Sequence, residues 1–265
     1  MNIVLRELRA NLKSLIIWSL SMVFLIYAGM IKYSGFEAAG QGVNELLNQM
    51  PEMVKNIIGM NGLDLTSISG FYGIFYLYFM LLAGVHAVML GAVIISKEER
   101  DKTADFLFVK PILRVKAITA KFIAALINIV VLNLVTLTSS IFFVGMFNKG
   151  EAINDQIVRL IFSLFILQLI FLTLGAVIAA ITRNTKKATS IATMLLLSTF
   201  TLSVAIDINN KIDYLSFLTP FKYFKAAQVM REGSIEPIYL LLSIIIIVCC
   251  TAGTYIIYNK RDLHI

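Results

Sequence analysis

The sequence predicts an all-α, polytopic membrane protein with six transmembrane helices and both termini on the cytoplasmic side. Three observations carry this. The chain of 265 residues is 58% hydrophobic and only 15% charged, with a mean hydropathy of +0.84, which the surface of a soluble domain of this size would not tolerate. Six apolar runs, at about 15–31, 71–95, 122–147, 160–181, 188–206 and 238–258, are each close to or above the length needed to cross a hydrocarbon core. The basic residues between those runs gather mainly on one side.

Residues 1–14 read as a helical lead-in, with Val4, Leu8 and Leu12 on one face and Arg6, Arg9 and Lys13 on another. This pattern predicts a helix lying along the inner membrane surface. The first span follows, with Trp18 and Tyr33 near its two ends as expected interface anchors. Residues 32–70 are too polar and Gly-rich to cross, yet Val43, Leu46, Leu47, Met50, Met53, Val54, Ile57 and Ile58 recur at helical spacing around Pro51. They predict one or two external amphipathic helices capping the bundle.

The second span carries His86 and returns the chain to a charged stretch, 96–121, reading SKEERDKTADFLFVKPILRVKAITAK. Seven of the 23 Lys and Arg fall here, which marks a cytoplasmic loop. Ala104, Phe106, Leu107 and Phe108 give the loop one apolar side, and Pro111 stops a helix from running on into the third span. A short amphipathic helix at the membrane surface is expected. Beyond it, the turn TRNTKK joins spans four and five, and Asp207 to Pro237 returns to the outer side as two short helices broken near Pro220. The four inner segments together hold fifteen of the 23 basic residues although the outer ones are longer in sum, and this sets the orientation. Nothing suggests a repeat or a second domain, so residues 1–265 read as one membrane domain.

The sequence offers little for catalysis. It has no Gly-rich phosphate loop, no His-Glu-x-x-His helix and no Cys-x-x-Cys pair. Cys249 and Cys250 are adjacent in an apolar run, where small hydrophobes in a helix are expected rather than a disulfide or a metal site. The basic residues are scattered and form no nucleic-acid stripe. Within the spans, His86, Asn128, Asn133 and Gln168 are the polar side chains that either line a pathway or tie helices together. Gly84, Gly91, Gly175, Ala176, Ala179 and Ala180 form the small-residue pattern of closely packed membrane helices.

The charged stretch resembles the cytoplasmic signature of ABC-2 type permeases, the membrane subunits of ABC exporters. In that family an acidic pair precedes a Thr, an acidic residue with two apolar ones, a Pro, a basic residue and a Lys opening the next span. Glu98, Glu99, Thr103, Asp105, Phe106, Leu107, Pro111, Arg114 and Lys121 fill those places. Lys102 departs from a common Gly and Leu113 from a common Ser. The lead-in, MPEMVKNIIG, SGFYG, LTPFKYF and the terminal KRDL are also similar, so the resemblance covers the whole chain.

The resemblance implies a type V exporter-like permease that is not itself an enzyme and binds no cofactor. ATP and Mg sit on a separate ABC ATP-binding subunit, and a second permease, identical or a sister, completes the complex. It implies that Glu98, Glu99, Arg100 and Asp101 offer ionic contacts to the ATPase, with Thr103, Asp105, Pro111 and Arg114 in the same coupling segment, while Phe106 and Leu107 fix that segment to the bundle. A bacterial plasma membrane is the expected location. A nearly uncharged interior suits hydrophobic or amphipathic cargo such as a drug, an antimicrobial peptide or a lipid-like molecule. The alternatives are a non-transporting anchor, immunity or regulatory subunit, and an ion-coupled carrier.

Overall fold

A computed structural model describes residues 3–39, 49, 51, 54–55, 63–100, 113–148, 150, 152–182, 184–233 and 235–260. Among these there is no β-strand, and six helices are long and apolar enough to cross a membrane. In chain order they are α1 (Ile3–Ala39), α2 (Ile68–Arg100), α3 (Arg114–Phe147), α4 (Asn154–Thr182), α5 (Thr185–Ile208) and, after the short α6 (Ala226–Glu232), α7 (Pro237–Lys260). Two 3₁₀ segments, Asn210–Leu218 and Pro220–Lys222, lie between α5 and α6.

The helices outrun the apolar runs that announce them. α1 has 37 residues, about 55 Å at 1.5 Å per residue, against about 30 Å of hydrocarbon. Lys, Glu and Arg are good helix formers, so a charged residue moves a helix out of the hydrocarbon without ending it. Two expectations are corrected on this account. The lead-in is not a separate helix turned along the surface: it is the first part of α1, and Glu7 in it is fully buried. The stretch 96–121 is not a loop throughout, because α2 continues to Arg100 and α3 starts at Arg114, with Leu113 as its extended N-cap.

α1 and α2 run antiparallel in one register. Glu7 meets Lys97, Trp18 meets His86, Gly29 meets Phe75 and Tyr33 meets Phe71. Equal numbers of residues separate successive pairs on both helices, as straight helices require. Trp18 and Tyr33 therefore face α2, and Tyr33 is 5% exposed.

α2 and α4 run parallel and form the most extensive contact in the bundle. Near their C-terminal ends a Cβ on Gly91 would strike the Leu172 carbonyl oxygen, and a Cβ on Gly175 would strike the Val88 carbonyl oxygen. The two backbones thus touch where both helices carry glycine. Nearer the other end the Tyr76 hydroxyl donates to the Leu160 carbonyl at 2.9 Å, and Tyr72 donates to Ser140 on α3 at 2.8 Å. Around this pair α1 packs chiefly on α3, α5 on α2, and α7 on α4. Leu241, Ile244, Ile245 and Val248 leave an apolar face of α7 exposed.

After α5 the chain folds back into the bundle. Thr219 breaks the 3₁₀ run, its hydroxyl donating to the Thr199 carbonyl at 2.8 Å. The next residues place the Phe221 ring 5.3 Å from both Phe171 and Phe200. Phe200 lies eight residues before the end of α5, about 12 Å along it. Of the external segment at 32–70, residues 32–39 belong to α1. Val54 and Lys55 donate to the Pro51 carbonyl at 2.9 and 3.3 Å, and most of the remaining capping segment lies outside the described residues.

Gly91→Val or Gly175→Val should force α2 and α4 apart and cost about 3 kcal/mol or more. Gly145→Ala, where a Cβ meets nothing within 4 Å, should be tolerated. Size-exclusion profiles and melting temperatures in detergent check this; a monodisperse, normally stable Gly91→Val would show that the helices do not pack by backbone contact.

Candidate functional site

The candidate site is the end of the bundle from which segment 101–112 leaves. α2 delivers Ser96 and Lys97 there, α3 begins with Arg114 and carries Lys121 two turns on, and α1 brings Arg6 and Glu7. The Glu7 carboxylate accepts from Arg6 at 2.8 Å and from Lys97 at 3.0 Å. Lys121 is 1% exposed and donates to the Ile94 carbonyl at 2.6 Å; its charge also acts on Glu7. Thr185, at the start of α5, donates to the Ser96 carbonyl at 2.9 Å. Arg114 donates to the Asn259 carbonyl at 3.2 Å, and Thr119 and Tyr255 share a hydrogen bond of 2.8 Å, tying α3 to the last turns of α7.

Of the coupling residues expected from the sequence, Arg114 is therefore placed in this network. Glu98, Glu99 and Arg100 form the last turn of α2, while Asp101, Thr103, Asp105, Phe106, Leu107 and Pro111 lie outside the described residues. Glu7 is the residue that sequence reading missed. It stands on the same helical face as Met22, Ile26, Met30 and Tyr33, all buried. An acid on the apolar face of a membrane helix requires a partner, and that was the available signal.

The polar residues of the middle of the bundle are dispersed. The His86 ring is 3% exposed and lies 5.6 Å from the Trp18 ring. Asn133 donates to Gln168, joining α3 to α4, and also to the Ile129 carbonyl at 2.8 Å. Asn128 donates to the Ala124 carbonyl one turn back on its own helix at 2.8 Å. No group of three or more His, Cys, Asp or Glu that could hold a metal occurs among the described residues.

At the opposite end a cavity of about 420 Å³ opens between α2, α5 and the folded-back segment. Tyr76, Leu77, Met80, Ile206 and Phe221 line its depth, and Asp207, Asp213, Lys222, Lys225 and Gln228 its rim. On the rim Lys222 pairs with Asp207, while Asp213 accepts from Ser216 at 2.9 Å and Gln228 donates to Glu236 at 3.0 Å, both partners lying beyond the cavity lining. Burial pulls the Lys222 ammonium below the usual lysine range, and Asp207 works against that pull. A shallower groove of about 1110 Å³ runs along α5, where Thr189, Thr193, Leu197 and Thr201 meet Met89 and Val93 of α2.

Six helices long and apolar enough to cross a membrane define a polytopic α-helical membrane protein. The profile of the family described as ABC-2 family transporter protein matches residues 1–263. The chain belongs to that family, as a multi-pass membrane protein. No curated protein matches it significantly.

Asp207→Asn leaves the Lys222 ammonium buried without its counter-charge and should lower stability by about 3 kcal/mol. Adding Lys222→Met should restore most of the loss, since both charges are then gone. Detergent melting curves of the single and double variants decide it; equal losses would mean that the pair is not electrostatically coupled.

Proposed function

We propose that this chain is the membrane-spanning permease subunit of an ATP-driven exporter, working with a separate ABC ATP-binding subunit and a second permease, identical or a sister. The family match over residues 1–263 is the observation that carries this reading. Under it the basic end of the bundle is cytosolic, in a bacterial plasma membrane, and segment 98–112 is where the ATPase pushes. Glu98, Glu99, Arg100 and Asp101 make the ionic contacts. Thr103, Asp105, Phe106, Leu107, Pro111 and Arg114 shape the segment and join it to the spans.

The gathering of α1, α2, α3 and α7 around the exit of this segment supports the reading. Helices whose backbone hydrogen bonds are satisfied internally move as rigid levers when pushed at one end. A hydrophobic or amphipathic cargo suits the bundle, because no Asp, Glu, Lys or Arg lies between Trp18 and Ile31, between Phe71 and Ile95 or between Phe122 and Phe147. The hydroxyl-lined groove on α5 suits close approach of a second permease, since small polar residues let membrane helices meet.

Orientation is checked by reporters: fusion after Ile265 or insertion near Lys186 should read cytoplasmic, and insertion near Gly40 or Gly150 external. An external signal at Lys186 would overturn the orientation. For coupling, reversing Glu98 and Glu99 to Lys should weaken retention of the ATPase at least tenfold, because like charges would meet across the contact. Phe106→Ala with Leu107→Ala should retain the ATPase but abolish its stimulation by lipophilic dyes or antimicrobial peptides. Pull-down and ATP hydrolysis in vesicles, at matched membrane levels, read both; normal behaviour of both variants would remove segment 98–112 from the mechanism.

A further inference from the structure

Segment 101–112 is bounded by two helices, and both carry a lysine to the same place. Lys97 lies in the last turn of α2 and Lys121 two turns into α3. The Lys121 ammonium reaches back to α2, donating to the Ile94 carbonyl at 2.6 Å. The Lys97 ammonium reaches to α1, bonding Glu7 at 3.0 Å. Glu7 is fully buried, also accepts from Arg6 at 2.8 Å, and feels the Lys121 charge.

Three cations from three helices thus converge on one carboxylate. Without it they would repel one another in a place poorly screened by water. α1 packs chiefly on α3 and only lightly on α2, so the tie to α2 is the one such a cluster strengthens. Leu12, Ile16, Leu20 and Phe24 leave its far side exposed, and along α2 it is held otherwise by ring contacts such as Trp18 to His86 and Tyr33 to Phe71.

We propose that Glu7 is a positioning residue for coupling: by holding the Lys97 end of α2 and the Lys121 turn of α3 to α1, it makes all three helices respond together to force on the segment between them. This rests on the reading of that segment as the ATPase contact. Glu7 itself touches neither nucleotide nor cargo. Its role is to deliver the displacement of that segment to a lever three helices wide, and the ion cluster suits this because it is rigid while paired and costly to open.

The test uses the full complex in lipid nanodiscs. Cys249 and Cys250 are replaced by Ala, and spin labels are placed on Lys13→Cys in α1 and Lys116→Cys in α3, both exposed and outside the cluster. Distances are measured without nucleotide and after trapping with ATP and vanadate. With Glu7 present, a single narrow α1 to α3 distribution should persist unchanged through trapping. Glu7→Gln, which keeps the shape and removes the charge, should at least double its width without nucleotide and shift its mean on trapping, with the ATPase retained in normal amount. Glu7→Ala should do the same.

The same narrow distribution in both variants overturns the proposal. So does a lowered melting temperature with no widening, which is what a merely stabilising ion pair would give. If the ATPase fails to associate even with Glu7 in place, the reading of the segment falls, while the nucleotide-free distances still decide whether Glu7 clamps α1 to α3.

Discussion

The crossing of α2 and α4 at Gly91 and Gly175 is the contact on which the rest of the bundle depends. In a bilayer the apolar side chains gain little by leaving lipid for one another, so helices associate through close packing and hydrogen bonds. Two glycines facing opposite carbonyl oxygens let the backbones meet where a single Cβ on either would not fit. The pair then presents α2 as a central post, with α1 in antiparallel register on one side and α5 on another. Ala176, Ala179 and Ala180, all buried, extend the narrow face of α4 toward its end.

Polar groups are distributed by depth in a way that fits movement of rigid spans. Inside the bundle most hydroxyls and amides bond back to their own helix, as Thr136 does to Leu132 and Asn128 to Ala124. A few reach across, namely Tyr72, Tyr76 and Asn133. The described ion pairs between helical elements stand at the two ends, Glu7 with Lys97 at one and Asp207 with Lys222 at the other. Charge at the ends and apolar packing between them leaves the mid-section without the acidic relay that an ion-coupled carrier would use.

The folded-back segment after α5 makes the end of the bundle opposite Glu7 asymmetric. Phe221 and Phe224 are buried in the bundle, and Tyr223 stacks on Tyr239 of α7 at 4.9 Å. Irregular backbone is tolerated there because protein covers it, with the Thr219 hydroxyl satisfying a carbonyl of α5. The cavity beside it carries the Lys222 and Asp207 pair on its rim.

The sequence by itself determined the class of fold, the six spans and the family, because hydrocarbon thickness imposes a length and a composition on every crossing segment. It also pointed to the small residues of α2 and α4, since packing in lipid selects them, and to Lys121 as the residue opening a span. Tertiary structure alone decided that the lead-in is part of α1, that Trp18 and Tyr33 face α2, and that Glu7 collects cations from three helices. Hydropathy averages over a window and is blind to which face of a helix a residue occupies. An ion pair spanning ninety positions, from Glu7 to Lys97, is set by the register of two helices, and that register comes from the packing of both along their whole length.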